Sequence, residues 1–477
     1  MIFGVCVGPS YEEAELFLSK IEDHVDGIEL RLDRFEKVDL DALGYLLKNW
    51  KKKVLFTYPR VESESLYNIW EGLLGLRPDY VDLSLDCSDD LLHLVQDFPH
   101  PPKVILSYHN FIETKDIASI LEAMIQRKAD VYKIATYAQS SLDSLYMLEL
   151  SVSAKKRGFA FIGICMGPLG LPTRILSPLV GSIITFVKYA GNESADGQID
   201  LIDMDRLYRF NQLTPSTKIY ALIGETIEQS ISPLIHNYLF TKTQTDALYI
   251  KIVLQKGELE PFFTLFRSLF FFSGLSVTMP FKEGVLPFLD RWVCPFSYLR
   301  ACNTIVKEGG ELIGYNTDYR GAVKALENHL MLKEKRVVII GSGATAKSIA
   351  SACLNGGAKV AIAARSLDKK ESWKEFVGVD YHLITDLEQL DYDVLINTTP
   401  VQMPVSKSRV RSGRFFMDVS YHPKESSFLS YAKSVGGTCI YGLDMLIHQA
   451  LYQQGWFGME HDHDKMYQQL SLAIASD

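Results

Sequence analysis

The chain has 477 residues, a formal net charge of −9 and 47% apolar residues. Its length suggests at least two domains of roughly 100–250 residues each, and its apolar content is ample for globular cores. The acidic balance, without any basic block, argues against a nucleic-acid partner.

The cysteines and apolar runs indicate the compartment. The seven cysteines are scattered, without a Cys-x-x-Cys pair or a Cys/His spacing typical of metal sites. We therefore expect reduced thiols in a cytoplasmic protein and no metal site. The apolar run at 2–7 is too short for a signal peptide. The most apolar stretch, 261–275, is interrupted by Arg267 and falls short of a membrane span. We expect no membrane association, and the sequence leaves the oligomeric state unknown.

Short β-type runs alternate with helical patterns through residues 1–210. The runs begin near residues 2, 26, 53, 79, 103, 130, 159 and 183. Eight evenly spaced strands with helical partners predict a compact (β/α)₈ barrel, the TIM barrel, over 1–210. An open doubly wound sheet is the alternative, but the even repeat favours closure.

The second strand pattern, 27–33, carries unusual charges. One face is apolar, whereas Glu29, Arg31 and Asp33 occupy the other face, toward the barrel axis. Inward charges are costly unless a site uses them, and barrel chemistry lies at the C-terminal ends of strands. The pattern therefore predicts a site on this strand.

Two further candidates lie on later strands. Lys133 stands inside the apolar run 130–135, where desolvation favours the neutral amine that can attack a ketone. His109 follows the fifth strand pattern. The alternatives are a snorkelling lysine at a strand end and a structural histidine.

With SYHNF at 107–111 and DVYKIA at 130–135, the Glu29/Arg31 pair resembles the type I 3-dehydroquinate dehydratases over most of 1–205. The resemblance implies that Lys133 forms a Schiff base with the substrate ketone. His109 would then remove the adjacent proton and help the hydroxyl leave as water. Substrate-binding roles are implied for Glu29, Arg31, Arg60, Arg174, Ser194 and Gln198.

Three positions depart from that family's pattern. The family has a carboxylate that orients the histidine, two residues after an Asp on strand four, where this sequence has Ser84. We hypothesise that Asp86, on the same strand face, substitutes for it. The strand-three arginine is displaced to Arg60, and Asp196 stands where the family has Pro.

The polar segment 211–218 lacks periodicity and predicts a linker. A second α/β region follows, with a hairpin-like run over 303–318 and a strand at 336–340 that leads into a glycine-rich turn. We predict two lobes here: a substrate lobe over 218–320, joined by C-terminal helices over 443–477, and a Rossmann nucleotide-binding lobe over 321–442.

Residues 341–346 form a G-x-G-x-x-A motif between a strand and a helical pattern. Alone the motif is weak, but this context is typical of a dinucleotide site. Its glycines let backbone N–H groups approach a pyrophosphate at the helix N-terminus. The candidate cofactor residues in the motif are Gly341, Ser342, Gly343, Ala344 and Ala346.

The end of the following strand pattern predicts which dinucleotide binds. NAD sites carry an Asp or Glu there for the ribose 2′-hydroxyl, whereas this sequence has Arg365 and Ser366 after two alanines. A cation and a hydroxyl suit a 2′-phosphate, and the missing carboxylate argues independently against NAD. We therefore predict NADP(H); the alternative is a surface arginine.

Polar clusters at 230–233, 276–282, 302–304 and 315–318, with GLDMLIHQA at 442–450, resemble the shikimate dehydrogenase family over 218–470. The resemblance implies a catalytic pair in which Lys282 gives a proton to the forming alkoxide and Asp318 holds it in position. Substrate-binding roles are implied for Ser230, Ser232, Thr278, Asn303, Tyr421 and Gln449. Cofactor contacts are implied for Asn397, Thr398, Thr399 and Gly442.

The two resemblances concern consecutive steps, because the dehydratase product is the dehydrogenase substrate. The order of the halves resembles the bifunctional dehydratase–shikimate dehydrogenases. It implies conversion of 3-dehydroquinate to 3-dehydroshikimate and then, with NADPH, to shikimate, on the route to chorismate and the aromatic amino acids. Two alternatives stay open: a catalytically degenerate sensor of shikimate or quinate, and a Schiff-base aldolase fused to another dehydrogenase.

Overall fold

The computed structural model describes residues 1–58, 64–190 and 194–476. Arg60, one of the predicted substrate-binding residues, lies outside these ranges. The chain divides into two compact units. Unit 1 comprises Met1–Thr217, Ile252–Leu254 and Pro261–Phe271, and unit 2 comprises Lys218–Lys251, Gln255–Glu260 and Phe272–Asp477.

The first 210 residues form a curled parallel sheet with helices between its strands. The strands are β1 (Ile2–Cys6), β2 (Gly27–Arg31), β3 (Lys53–Thr57), β4 (Tyr80–Ser84), β5 (Lys103–Asn110), β6 (Val131–Tyr137), β7 (Phe161–Met166), β8 (Thr185–Lys188) and β9 (Ile199–Asp200). The helices are α1 (Tyr11–Ile21), α2 (Leu40–Leu47), α3 (Glu64–Gly75), α4 (Asp89–Gln96), α5 (Ile117–Ile125), α6 (Ser141–Lys156), α7 (Leu171–Ile175), α8 (Ser177–Val180) and α9 (Leu201–Arg206).

This sheet returns on itself. Its order is β7-β6-β5-β4-β3-β2-β1-β8-β9. Phe161 of β7 pairs in parallel with Ser182, just before β8, and the Ile183 amide donates to the Phe161 carbonyl at 3.1 Å. The predicted (β/α)₈ barrel is confirmed, and the open-sheet alternative is wrong. The two-residue β9 is an addition that the sequence did not predict.

Alternation along the strands separates the barrel's apolar floor from its polar end. Tyr80, Ile105 and Val131 belong to the apolar cluster inside the barrel. Since residues two apart share a face of a strand, the next inward positions on β5 and β6 are Ser107 and Lys133. Polar side chains therefore collect at the C-terminal ends of the strands.

The remainder of the chain contains two six-stranded sheets. The strands are β10 (Lys218–Gly224), β11 (Ala247–Val253), β12 (Phe272–Val277), β13 (Arg291–Val293), β14 (Thr304–Glu308), β15 (Glu311–Tyr315), β16 (Arg336–Ile340), β17 (Lys359–Ala364), β18 (Val379–Leu383), β19 (Val394–Asn397), β20 (Phe415–Asp418) and β21 (Thr438–Tyr441). The helices are α10 (Ser232–Lys242), α11 (Leu259–Ser268), α12 (Asp318–Glu327), α13 (Ala344–Asn355), α14 (Ser427–Ser434), α15 (Gly442–Trp456) and α16 (His463–Ser476).

The two sheets have different topologies. The first has the order β11-β10-β12-β14-β15-β13 and includes the predicted antiparallel hairpin β14–β15. The second, β18-β17-β16-β19-β20-β21, is parallel throughout, as in a Rossmann lobe. The C-terminal helices α15 and α16 pack on α10 through a shared apolar cluster. The short strands β13 and β18 were not predicted.

The most apolar stretch of the sequence is divided between a helix and a strand, because α11 ends at Ser268 and β12 begins at Phe272. Across the described residues, no helix is both long and apolar enough to span a membrane. All seven cysteines lie within the described ranges, and none forms a disulfide.

Candidate active sites

A cavity of about 330 Å³ lies at the C-terminal ends of the barrel strands. Seven predicted site residues line it: Glu29, Arg31, His109, Lys133, Arg174, Ser194 and Gln198. Lining residues that the sequence did not single out as site residues include Arg34, Thr57, Asp82, Ser107, Phe111 and Phe186. Asp82 could have been predicted from the alternation of β4, because it shares a face of that strand with Tyr80 and Ser84.

Lys133 forms a buried ion pair at the centre of this cavity. Its Nζ lies 2.7 Å from Oδ2 of Asp82, and both side chains are less than 10% exposed. The other carboxylate oxygen of Asp82 accepts from the Ser107 hydroxyl at 2.5 Å. Burial by itself raises the pKa of Asp82, but the nearby charges, chiefly Lys133, and the hydrogen bonds from Lys133 and Ser107 together outweigh it, so the net pKa is lowered. The Asp82 carboxylate therefore lies within reach of the proton that a lysine must lose before it can attack a ketone.

His109 stands at the mouth of the cavity, where its side chain is exposed and stacks on Phe111 with ring centroids 5.9 Å apart. Dense protein surroundings, followed by the Lys133 cation, lower the pKa of His109 to about 4. The imidazole is therefore neutral near pH 7 and able to accept a proton. The Ser84 hydroxyl donates to Asp86, and among the described residues no hydrogen bond joins Asp86 to His109.

Strand β2 is shorter than its charge pattern predicted. It ends at Arg31, and Asp33 lies in the turn that follows. There Asp33 accepts two hydrogen bonds from the Arg31 guanidinium, both at 2.9 Å, and it does not line the cavity. The prediction that Asp33 continues the inward face of this strand is wrong, because the strand has already ended. Glu29 does face inward and accepts from the Thr57 hydroxyl at 2.7 Å.

The segment 194–198, which carries two predicted substrate-binding residues, is anchored to β6 and β7. The Gly167 amide donates to the Asp196 carbonyl at 3.0 Å, and the Tyr137 hydroxyl donates to the Asp196 carboxylate at 3.0 Å. A Cβ at Gly197 would lie 2.3 Å from the Gly167 carbonyl oxygen, so no larger residue fits. These contacts fix the segment beside the cavity.

A second cavity, of about 390 Å³, lies within unit 2. Eleven predicted residues line it: Ser230, Ser232, Thr278, Lys282, Asn303, Asp318, Thr398, Thr399, Tyr421, Gly442 and Gln449. Ser276, Thr345 and Gln453 also line it and were not predicted as site residues.

Lys282 and Asp318 form a second buried ion pair in this cavity, with Nζ 2.6 Å from Oδ2. The Asn303 amide donates to the other oxygen of Asp318 at 2.8 Å and to the side chain of Gln449 at 3.3 Å. Gly321 permits this arrangement, because a Cβ there would lie 2.8 Å from the Gln449 backbone nitrogen. Helices α12 and α15 can therefore approach closely enough for their side chains to share one network.

Gln453 lies one helical turn after Gln449 and extends the network along the wall of the cavity. Its side-chain oxygen accepts from the Ser276 hydroxyl at 2.9 Å, and its amide donates to the Thr304 hydroxyl at 3.0 Å. Ser276 belongs to the polar cluster at 276–282, but no role of its own was predicted for it. The i, i+4 spacing from Gln449 was the signal that could have found Gln453.

The glycine-rich turn between β16 and α13 fits a dinucleotide pyrophosphate. Gly341 has φ +111°, and a Cβ there would lie 2.4 Å from the Thr398 hydroxyl oxygen. Among the described atoms, none lies within 4 Å of a Cβ built on Gly343, and α13 begins without a side-chain cap. The open, uncapped helix start leaves backbone N–H groups available to an anion.

The other predicted cofactor residues fall into two groups. Arg365 and Ser366 are exposed directly after β17, where a 2′-phosphate would be recognised. Asn397 and Ala346 are buried and do not line the cavity. Asn397 instead accepts from the Thr399 hydroxyl at 2.8 Å and so fixes the turn, whereas Ala346 lets α13 pack closely on the sheet.

Comparison with protein families divides the chain as its structure does. The model of type I 3-dehydroquinase matches residues 2–215. The shikimate dehydrogenase substrate-binding domain matches 222–305, and the shikimate/quinate 5-dehydrogenase model matches 323–421. Among solved structures, a shikimate dehydrogenase from Peptoclostridium difficile has 28% identity and a TM-score of 0.51. The match covers 54% of this chain and 98% of the shikimate dehydrogenase chain.

Two relatives are similar along nearly the whole chain. The shikimate biosynthesis protein AroDE of Chlamydia pneumoniae is 31% identical over 96% of this chain and 95% of its own length. The chloroplastic bifunctional 3-dehydroquinate dehydratase/shikimate dehydrogenase of Arabidopsis thaliana is 30% identical over 90% of this chain and 77% of its own length. With two lysine–aspartate sites in the matching halves, the chain belongs to the family of bifunctional 3-dehydroquinate dehydratase/shikimate dehydrogenases.

Proposed function

We propose a residue-level mechanism by which this bifunctional enzyme dehydrates 3-dehydroquinate and then reduces 3-dehydroshikimate. The observation that carries it is the pair of buried lysines, Lys133 and Lys282, each within 2.7 Å of an aspartate in its own cavity. Each lysine meets the functional groups that one of the two reactions requires.

In the barrel, Lys133 passes a proton to Asp82 or to solvent and attacks the substrate ketone. Loss of water from the adduct gives an iminium ion, which acts as an electron sink for the adjacent carbon. His109 takes the proton from that carbon and returns it to the departing hydroxyl, which leaves as water. Hydrolysis of the imine then releases 3-dehydroshikimate and regenerates the lysine.

Charged groups around this cavity suit the substrate. Arg174 is 2% exposed and lines the cavity with Arg31 and Arg34, and guanidinium groups are well suited to bind a substrate carboxylate. Glu29, Ser194 and Gln198 offer partners for the ring hydroxyls. The proposed role of Arg60 concerns a residue outside the described ranges.

In unit 2, Lys282 donates a proton to the alkoxide oxygen that forms when the ketone of 3-dehydroshikimate is reduced. Asp318 holds the ammonium group in position, and Asn303 and Gln449 hold ring hydroxyls. NADPH, when bound at the start of α13, supplies the hydride. Arg365 and Ser366 would hold its 2′-phosphate, which explains the preference over NADH. Ser230, Ser232, Thr278 and Tyr421 complete the substrate contacts.

A two-signal assay tests the function. The full-length chain is supplied with 3-dehydroquinate and NADPH, and both 3-dehydroshikimate formation and NADPH loss are followed. We expect both signals; no turnover in either would favour the sensor. Borohydride reduction in the presence of substrate should trap the imine on Lys133. The control variant Lys128→Met should be labelled as the native chain is, and Lys133→Met should stay unlabelled. Labelling at another lysine would refute the Schiff-base assignment.

A further inference from the structure

Two polar contacts join the nucleotide-binding helix α13 to the segments that carry the second catalytic pair. Lys347 Nζ lies 3.0 Å from Oε1 of Glu283, the residue directly after Lys282. One residue further along α13, the Ser348 hydroxyl accepts from the side-chain amide of Asn316 at 3.0 Å. Neither contact takes part in the proposed chemistry.

The burial of these side chains makes the contacts specific. The Lys347 side chain is 9% exposed, and a buried ammonium group is costly without a partner. Its partner Glu283 is 54% exposed on its side chain. Ser348 and Asn316 are both buried. The Asn316 amide also donates to the Ala301 carbonyl at 2.6 Å, so its side chain has little freedom to turn away from α13.

The position of the contacts on α13 connects them to the cofactor site. The helix begins at Ala344 after the uncapped Gly343, where the pyrophosphate would bind. Lys347 and Ser348 lie within the next turn of the same helix. A shift of α13 on binding an anion would therefore move the groups that contact the residues next to Lys282 and near Asp318.

We propose that Lys347 and Ser348 are positioning residues that couple occupancy of the dinucleotide site to the geometry of the Lys282–Asp318 pair. The inference rests on the proposed function, because it requires NADPH at the start of α13. Such coupling is reciprocal: NADPH tightens the binding of shikimate by the same factor by which shikimate tightens the binding of NADPH.

The coupling is measurable with shikimate and NADPH, which are both reduced and cannot react with each other. The full-length chain is titrated calorimetrically with shikimate, with and without saturating NADPH. For the native chain we expect the ratio of the two dissociation constants to be about fivefold or more. We expect this ratio to fall to within about twofold of one in each of three variants, Lys347→Met, Glu283→Gln and Ser348→Ala. Their dissociation constant for shikimate without NADPH should change less than about twofold.

Two variants separate coupling from general damage. Lys347→Arg keeps the cation and should retain the native ratio. Glu311→Gln removes an exposed ion pair with Arg291 in the same lobe and should leave the ratio unchanged. The double variant Lys347→Met/Glu283→Gln should be no worse than either single one, because both remove the same contact.

Three results would overturn the proposal. The first is a ratio of one in the native chain. The second is weaker binding of NADPH alone to Lys347→Met while Glu283→Gln behaves as native, which would make Lys347 a phosphate ligand. The third is loss of coupling in Glu311→Gln. If the native chain bound neither shikimate nor NADPH, the proposed function itself would fail, and the coupling with it.

Discussion

The barrel site and the site in unit 2 are built around the same device. Each buries a lysine against an aspartate, at 2.7 Å for Lys133–Asp82 and 2.6 Å for Lys282–Asp318. In both sites, the second carboxylate oxygen accepts a hydrogen bond from a neutral group. This group is the Ser107 hydroxyl in the barrel and the Asn303 amide in unit 2. The ion pair alone therefore does not decide what the lysine does.

The surroundings make the difference. The barrel lysine faces His109, whose lowered pKa leaves it neutral and able to take a proton, and a Phe186 ring 4.8 Å away. The other lysine is surrounded by hydroxyl and amide groups of the Asn303 network, none of which titrates near neutral pH. The neutral imidazole gives the barrel site a second base beside the aspartate, which suits imine chemistry. Among the described residues that line the other cavity with Lys282, Asp318 is the carboxylate that holds the lysine, which suits proton donation to the substrate.

The largest expected effect comes from removing the barrel lysine. Lys133→Met should lower dehydratase turnover by about 10³-fold or more, because no other group can form the imine. Dehydrogenase turnover with supplied 3-dehydroshikimate should stay within about twofold of native. Equal loss of both activities would contradict the assignment of each lysine to a separate reaction.

The reciprocal variant should have a somewhat smaller effect. Lys282→Met should lower NADPH-dependent reduction by about 10²- to 10⁴-fold, the range for loss of a general acid. Formation of 3-dehydroshikimate should be unaffected, since the barrel does not use this residue. Steady-state assays of each half-reaction on the same preparation measure both effects. A variant that keeps native reduction rates would remove Lys282 from the mechanism.

Breaking the barrel ion pair tests its structural cost. Asp82→Asn leaves an ammonium group buried without its counter-charge, so the free energy of unfolding should fall by about 3–5 kcal/mol. Urea unfolding followed by circular dichroism measures this, since the signal does not depend on the activity of the variant. Asp86→Asn is the matched control, and we expect it to change stability by less than about 0.5 kcal/mol. Unchanged turnover in that control would also remove Asp86 from the account of His109.

The two halves should respond differently to acid. His109 must be neutral to act as a base, so dehydratase kcat/KM should persist below pH 6 and fall only near its pKa of about 4. In unit 2, burial lowers the pKa values of His236 and His448 to about 3. The unfolded chain takes up protons on these histidines below about pH 6.5, so stability declines as pH falls from there. The decline should be steeper for unit 2, where the pKa values of His236 and His448 are lowered further than that of His109 of the barrel.

Initial rates and circular dichroism across pH 4–8 compare the halves. We expect the dehydrogenase to fail at a higher pH than the dehydratase. A fall in dehydratase kcat/KM near pH 6.5 would show that His109 titrates as an ordinary histidine and would contradict its proposed environment.

The smallest expected effect concerns the anchored segment 194–198. Tyr137→Phe removes the hydroxyl that donates to Asp196 while keeping the ring. Because an exposed hydrogen bond contributes about 0.5–1 kcal/mol, KM for 3-dehydroquinate should rise about two- to fivefold with little change in kcat. Asp196→Asn, which keeps an acceptor, should behave as native. A fall in kcat without a change in KM would argue against a role in substrate binding.

Local patterns were sufficient for much of this molecule. The even spacing of apolar runs predicted the barrel, and the motif at 341–346 with its flanking strands predicted the Rossmann lobe. Lys133 was found because charge inside an apolar strand is costly. These features depend on residues close together in the chain, where periodicity and composition carry the information.

One local prediction failed where the chain left its pattern. Asp33 continues the alternation of β2 on paper, but the strand ends at Arg31 and the turn directs Asp33 to that arginine instead. Asn397 ends β19 as expected, and its side-chain oxygen accepts from the Thr399 hydroxyl; its cofactor contact stays a prediction. Alternation predicts a face only as long as the extended backbone continues.

The sequence by itself determined the two architectures and their order, and it singled out Lys133 and Lys282 as the candidate reactive lysines. Tertiary structure decided their partners: Asp82 is 51 positions from Lys133, and Asp318 is 36 from Lys282. Barrel closure brings β4 and β6 to a common interior, and the approach of α12 to α15 at Gly321 assembles the other network. Such pairs depend on how distant elements pack, and one sequence contains no local signal for that distance.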